Sequence, residues 1–132
     1  KADLLTENVL NFLKTVPKGR FQFEIGVQTT NAATLKAINR RDNWDKLTAN
    51  VKRLLSYGNI HLHLDLIAGL PYEGMAEFEK SFNDVYGLQP DMLQLGFLKV
   101  LPGTVMEKQR LEHELRYMDE PPYEILSTKY MP

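Results

Sequence analysis

The sequence predicts an α/β protein made of consecutive βα units around a parallel sheet. Two observations carry that expectation. Helical and strand periodicities alternate along the chain in the order helix, strand, helix, strand, helix, strand, helix, and the strand-like runs end in short turns rich in Gly, Pro and Thr. Such alternation arises when right-handed crossovers bring each new strand parallel to the last and helices cover the sheet. The second is composition: 132 residues, 43% of them hydrophobic and 25% charged, suffice for one packed domain over 1–132. A disordered or collagen-like chain is excluded.

Leu4, Leu5, Val9, Phe12, Leu13 and Val16 recur at helical spacing until Pro17 and Gly19, which predicts an amphipathic helix over 3–16. Phe21, Phe23, Ile25 and Val27 then alternate with Gln22, Glu24, Gly26 and Gln28, a strand over 21–28 with one polar face. Thr30-Asn31 supplies N-cap residues for a short helix through Ile38. Asp42-Asn43 starts another that runs through Leu47, Val51, Leu54 and Leu55 to a C-capping Gly58. Ile60 to Ala68 is a second strand, broken by Gly69-Leu70-Pro71, and residues 75–86 return to helical spacing. In that helix Phe78, Phe82 and Tyr86, like Trp44 before them, are expected to pack on the sheet.

Gln89-Pro90-Asp91 turns the chain into a third strand, Met92 to Val100, which ends at Leu101-Pro102-Gly103-Thr104. Thr104 caps a helix expected to reach Leu115. The core βα units thus span about 3–115, and 116–132, with Tyr123 to Leu126 following Pro121-Pro122, is a tail or an extra strand. The pattern fits a small doubly wound domain or a slice of a βα barrel. In both, ligands sit at the carboxyl ends of the strands, here Gln28-Thr29, Ile67 to Pro71 and Val100 to Thr104.

Charge and cysteine content narrow the chemistry. The formal charge is -1 with no basic stripe, so no nucleic-acid partner is expected. No apolar run approaches the roughly 20 residues that span a bilayer, and no signal pattern opens the chain, so no membrane partner and a cytoplasmic location are expected. With no cysteine there is no disulfide, thiolate metal site or cysteine nucleophile within these residues. The abrupt opening on Lys1-Ala2-Asp3 and the close on Tyr130-Met131-Pro132 read as a piece of a longer protein.

Glu24 and Gln28 on the first strand, Asp65 on the second and Arg40 after the short helix gather a carboxamide, a guanidinium and carboxylates near strand ends. A guanidinium holds a carboxylate in a two-bond fork, and an aspartate suits hydroxyl or ammonium donors, so a zwitterionic ligand carrying a sugar would use all of them. The plainer reading is that these polar groups satisfy one another inside a polar barrel. His61-x-His63-x-Asp65 offers a different chemistry, the metal set of a barrel hydrolase. Histidines at the start of a strand lie at the wrong end for that site, and His113 is the only other imidazole, so His61 and His63 are read as packing or surface positions. No GxGxxG or GxxxxGK[ST] pattern supports phosphate cradling.

The string Phe23-Glu24-Ile25-Gly26-Val27-Gln28-Thr29-Thr30-Asn31, followed by Leu35-Lys36-Ala37-Ile38-Asn39-Arg40, resembles the fourth strand and following helix of radical S-adenosylmethionine (radical SAM) cores. Leu64-Asp65-Leu66-Ile67-Ala68-Gly69-Leu70-Pro71 resembles the fifth strand, and Leu98 to Thr104 the sixth. The resemblance implies the C-terminal half of a partial (β/α)6 TIM-like barrel. It is nearest the branch of oxygen-independent coproporphyrinogen oxidases and cobalamin-domain, anaerobic Mg-protoporphyrin IX monomethyl ester oxidative cyclase-like proteins. By that resemblance Gln28 lies near the methionine end of S-adenosylmethionine, Arg40 pairs with its carboxylate, Asp65 bonds the ribose hydroxyls, and the main chain of Leu98, Lys99 and Val100 borders the adenine. Glu24 then faces the substrate cavity or serves as a structural hydrogen-bonding group.

The same resemblance implies a [4Fe-4S] cluster, S-adenosylmethionine and, in the cobalamin branch, cobalamin in the intact protein. The CxxxCxxC loop of the family lies outside this cysteine-free sequence, so the chain alone is expected to be inactive. Expected partners are a small-molecule or tetrapyrrole substrate and the rest of its own chain. The strand at 21–28, without an upstream neighbour, is expected to pair by its edge or dimerise. A non-catalytic βα scaffold is the alternative.

Overall fold

The computed structural model describes residues 1–132. Its helices are α1 (Glu7–Lys14), α2 (Ala32–Ala37), α3 (Trp44–Tyr57), α4 (Met75–Tyr86) and α5 (Val105–Lys108). Its strands are β1 (Gln22–Gln28), β2 (His61–Ala68), β3 (Met92–Phe97), β4 (Arg116–Tyr117) and β5 (Ile125–Ser127). β1, β2 and β3 form a parallel sheet in that order, as the alternating pattern predicts, and β4 pairs with β5 antiparallel in a separate small sheet.

The sheet buries one face. Val27 and, on the central strand, Leu62, Leu64 and Leu66 pack against Leu10 and Leu13 of α1, Leu47, Val51 and Leu54 of α3, and Val85 of α4. Leu62, Leu64 and Leu66 are at most 1% exposed, so each contributes about 1.5–3 kcal/mol of apolar burial. A second cluster, Leu70, Leu98, Val100 and Leu115, closes the carboxyl ends of the strands together with Ile38, Ile67 and Ile125. Asn43 caps α3 by accepting from Lys46 N–H at 3.0 Å, and Gly58 ends it in the left-handed region at φ 69°.

Four expectations change. The helix over 3–16 is two pieces: a 3-10 turn, Ala2–Leu4, then α1, separated by an extended Leu5. Thr6 caps α1 through Val9 N–H, so the chain begins a new helix rather than continuing the first. The opening turn is spent on α3 instead: Asp3 accepts from Asn43 N–H at 3.0 Å and Asn50 donates to Ala2 O at 2.7 Å.

The third strand leaves the sheet after Phe97, not at Val100. Leu98 N–H still donates to Ala68 O, but Leu98 O accepts from Ile125 N–H and Val100 N–H donates to Tyr123 O, so the C-terminal segment becomes the partner. The helix expected to reach Leu115 stops as α5 and continues as turns to Glu114, at φ 49°. Met106 is the one α5 residue that packs against the second cluster, none of its residues is fully buried and Leu111 is exposed, and so little tertiary packing does not propagate a short helix. Finally, Tyr86 is not core: it is 64% exposed and stacks on Phe82. Phe78, Phe82 and Trp44 do pack against the core, as expected.

Candidate functional site

Strand alternation sorts the other sheet face. The register sets Glu24 opposite His63 and Met92, and Gly26 opposite Asp65 and Gln94. Because the leucines of β2 point to the helices, His61, His63, Asp65 and Ile67 point the opposite way. On β1 and β2 this face carries Gln22, His61, Glu24, His63 and Asp65, with Met92 of β3 beside His63, and Asp65 lies one step nearer the strand ends than the Glu24 and His63 layer.

The Asp65 carboxyl is raised above the usual carboxylate range, first by burial and then by the negative charge of Glu24, with His63 pulling the other way. Its Oδ1 is buried and has no hydrogen-bond partner. A buried acceptor without a donor is costly unless a ligand supplies one. The residues present therefore fit a hydroxyl-bearing group at this point.

Gln28 ends β1 in an unusual conformation. Its φ is 69°, and Thr29 N–H donates to Val27 O at 2.9 Å, which makes Gln28 the centre of a γ-turn. The ladder to β2 slips between Gly26 and Gln28. The turn carries the Gln28 amide back over the polar face, where Nε2 comes 3.9 Å from the position a Cβ on Gly26 would take. That amide makes no hydrogen bond within the chain.

Arg40 lies at the outer edge of β1. Its Nε donates to Asp42 Oδ2 at 2.5 Å and its Nη2 to Gly26 O, which leaves Nη1 without a bond. Lys1 Nζ stands 3.0 Å from the other Asp42 oxygen. Burial works to raise the Asp42 carboxyl, but the bonds from Arg40 and Lys1 outweigh it and hold it below the usual range. Glu24, Gly26, Arg40, Asp42 and Lys1 line a cleft of about 240 Å³ on this side.

Leu98 and Val100 are buried and their main chains are paired as described, whereas Lys99 is exposed and bridges Glu124 with its own N–H and C=O free. His61 lies at the start of β2, edge-on to His63 at 4.7 Å between ring centroids and near Asp91. With Asp65 they share a face, but no group of three or more His, Cys, Asp or Glu is placed to hold a metal ion, so the hydrolase arrangement does not form.

Sequence reasoning missed a second set of residues beneath the strand ends. Glu73 is fully buried, accepts from Thr29 Oγ1 through Oε2, and leaves Oε1 unpartnered. Its carboxyl is raised, chiefly by burial, with the Thr29 bond opposing and Glu77 adding to the rise. Thr29 also accepts from Asn31 N–H at 3.0 Å, and Ser81 accepts from Thr30 N–H at 3.0 Å. The available signal was a carboxylate two residues after the Gly69-Leu70-Pro71 break, at a strand end where ligands gather.

The chain is similar to known proteins over most of its length. It is 27% identical over 120 residues to the oxygen-independent coproporphyrinogen-III oxidase-like protein HemZ of Bacillus subtilis, covering 91% of this chain and 24% of that protein. It is 34% identical over 89 residues to the oxygen-independent coproporphyrinogen III oxidase of Pseudomonas aeruginosa, covering 66% of this chain and 19% of that protein. Among solved structures it matches the coproporphyrinogen III oxidase of Escherichia coli, described as a radical SAM enzyme, with a TM-score of 0.69 and 27% identity over 83% of this chain and 24% of that one. No family model matches. The chain is thus a homologue of part of the radical SAM enzymes, with part of their TIM-like fold. It spans about a quarter of the length of the first of these relatives. No helix is long and apolar enough to cross a membrane.

Proposed function

We propose that the chain forms one wall of the S-adenosylmethionine pocket of a radical SAM oxidoreductase. The observation that carries this reading is the buried, unpartnered Oδ1 of Asp65 on the polar face of the sheet. Asp65 would accept from the ribose hydroxyls. Gln28, whose amide is unengaged beside Gly26, would lie near the methionine end. Arg40, with Nη1 unbonded, would pair with the methionine carboxylate, and the free main-chain groups of Lys99, between Leu98 and Val100, would border the adenine. Glu24, one layer further from the strand ends, would face the substrate.

When bound and reduced through a [4Fe-4S] cluster, S-adenosylmethionine supplies radical chemistry on an organic substrate. This chain has no cysteine to ligate the cluster, so its ligands belong to other segments of the protein and the chain alone is inactive. The names of the relatives support a tetrapyrrole-type substrate, and a cyclase-like reaction with a cobalamin domain elsewhere in the cytoplasmic protein is the finer form of this proposal.

The test is S-adenosylmethionine affinity of the intact, anaerobically reconstituted protein, by equilibrium dialysis. Asp65→Ala and Arg40→Ala are each expected to weaken it at least ~10-fold, the loss of one charged hydrogen-bonding partner. Unchanged affinity in both variants would sink the reading and leave a non-catalytic βα scaffold.

A further inference from the structure

Glu73 has no cationic partner and no solvent, yet it is the acceptor to which the first residue after Gln28 is tied. A carboxyl buried in this way costs free energy, so its retention requires a compensating role or a compensating contact. The only hydrogen bond its side chain makes is with the Thr29 hydroxyl.

Three facts connect that contact to Gln28. A non-glycine residue at φ 69° in a γ-turn is strained, and such a conformation persists only where its neighbours hold it. Thr29, whose N–H closes the γ-turn on Val27 O, is anchored on its other side by Glu73 and by Asn31 N–H on its hydroxyl. Glu73 itself is placed by the turn that ends β2, the strand of Asp65, and that turn is further pinned by Thr34 Oγ1 donating to Pro71 O at 2.7 Å and Asn31 Nδ2 donating to Tyr72 O at 3.0 Å. The carboxyl ends of β1 and β2 are therefore joined by one buried side-chain bond, directly behind the two residues that face the proposed ligand.

We infer that Glu73 is a positioning residue: through the Thr29 hydroxyl it holds Gln28 in its γ-turn and so fixes the Gln28 amide over Gly26, in register with Asp65. It touches no ligand. This inference rests on the S-adenosylmethionine reading for its consequence and on the γ-turn for its geometry, and the two are separable. Without Glu73, the Thr29 hydroxyl keeps only the bond from Asn31 N–H and the longer one with Ser81 Oγ at 3.3 Å, so the turn relaxes toward negative φ and the amide leaves the polar face.

The experiment is a double-mutant cycle on the intact protein, with S-adenosylmethionine affinity read by equilibrium dialysis and melting temperature followed alongside. Glu73→Ala is expected to weaken binding about 10-fold when Gln28 is present and less than about 2-fold in a Gln28→Ala background, because the effect acts through that side chain. Glu73→Gln, which keeps an acceptor for Thr29, is expected to stay within about 3-fold of the parent. Should Glu73→Ala fail to fold, Glu73→Met keeps the volume, removes the acceptor and carries the same expectation. Equal losses in both backgrounds, or no loss in either, overturn the positioning role. If the parent binds no S-adenosylmethionine, the functional reading fails, and the geometry is judged by hydrogen exchange of the Thr29 amide. Faster exchange in Glu73→Ala but not in Glu73→Gln upholds the role; unchanged exchange in both overturns it.

Discussion

Asp65 faces Gly26 across the β1 and β2 ladder, with the Gln28 amide folded back over the same glycine. The absent side chain is what keeps ground open between the amide and the carboxylate. A Cβ at Gly26 would meet only Gln28 Nε2, at 3.9 Å, so alanine fits in ordinary contact. Gly26→Ala is expected to keep S-adenosylmethionine affinity within about 3-fold, and Gly26→Leu to lower it at least ~30-fold with the fold retained by circular dichroism. Equal affinities in the two variants would mean that the ligand does not cross Gly26.

An ionised Asp65 costs the fold stability. Its folded carboxyl is raised above 3.8, so the folded state favours the protonated form. The stability it contributes is greatest below 3.8 and is lost as pH rises through the raised folded value. At pH 7 Asp65→Asn is expected to melt higher than the parent by roughly a degree or two, and the gap should vanish in acid. A lower melting temperature for this variant at pH 7 would show that Asp65 is satisfied in the free protein.

Asp42 has the opposite sign. Its carboxyl is held below 3.8 by Arg40 and Lys1 against the effect of burial, so its contribution is complete above that pH and is lost as pH falls through the depressed folded value. Asp42→Asn is expected to cost about 1–3 kcal/mol at pH 7 by urea denaturation, since it leaves the Arg40 guanidinium without its carboxylate. That difference should narrow below pH 3.8.

Gly69 ends β2 at φ 92°, and an added Cβ would stand 2.8 Å from Ile125 Cγ2. Gly69→Ala is expected to destabilise by ~2 kcal/mol or more, from backbone strain and overpacking together. Ile125→Ala in the same chain should restore only the packing part, measured as a partial recovery of melting temperature.

β1 is an edge strand of the three-stranded sheet, and an edge strand invites pairing. The 132-residue chain is expected to show concentration-dependent dimerisation by sedimentation between about 10 and 500 μM, a range that brackets a dissociation constant of about 100 μM. A monomer throughout would show that Arg40, on Gly26 O, already closes that edge.

Much of the fold was legible because it rests on local periodicity. The run from Phe21 to Gln28 alternates, β2 alternates around Leu62, Leu64 and Leu66, and α3 carries both its caps, Asn43 and Gly58, in the sequence. Residue types alone also placed Asp65 and Gln28 near strand ends. What failed was decided by contacts distant in sequence. β3 stops at Phe97 because the segment from Tyr123 to Ile125 competes for the main chain of Leu98 and Val100. The helix after Thr104 stops early because none of it is fully buried, Met106 alone packing against the second cluster.

By itself the sequence determined the parallel βα order, the polar face of the sheet and the absence of any thiolate ligand, since periodicity and composition are local properties. Only the tertiary structure decided that Gln28 sits in a γ-turn, that Arg40 reaches the carbonyl of Gly26, and that Glu73 is buried against Thr29. Those placements join residues 14 and 44 positions apart, and no local pattern specifies which distant side chain will satisfy a buried polar group.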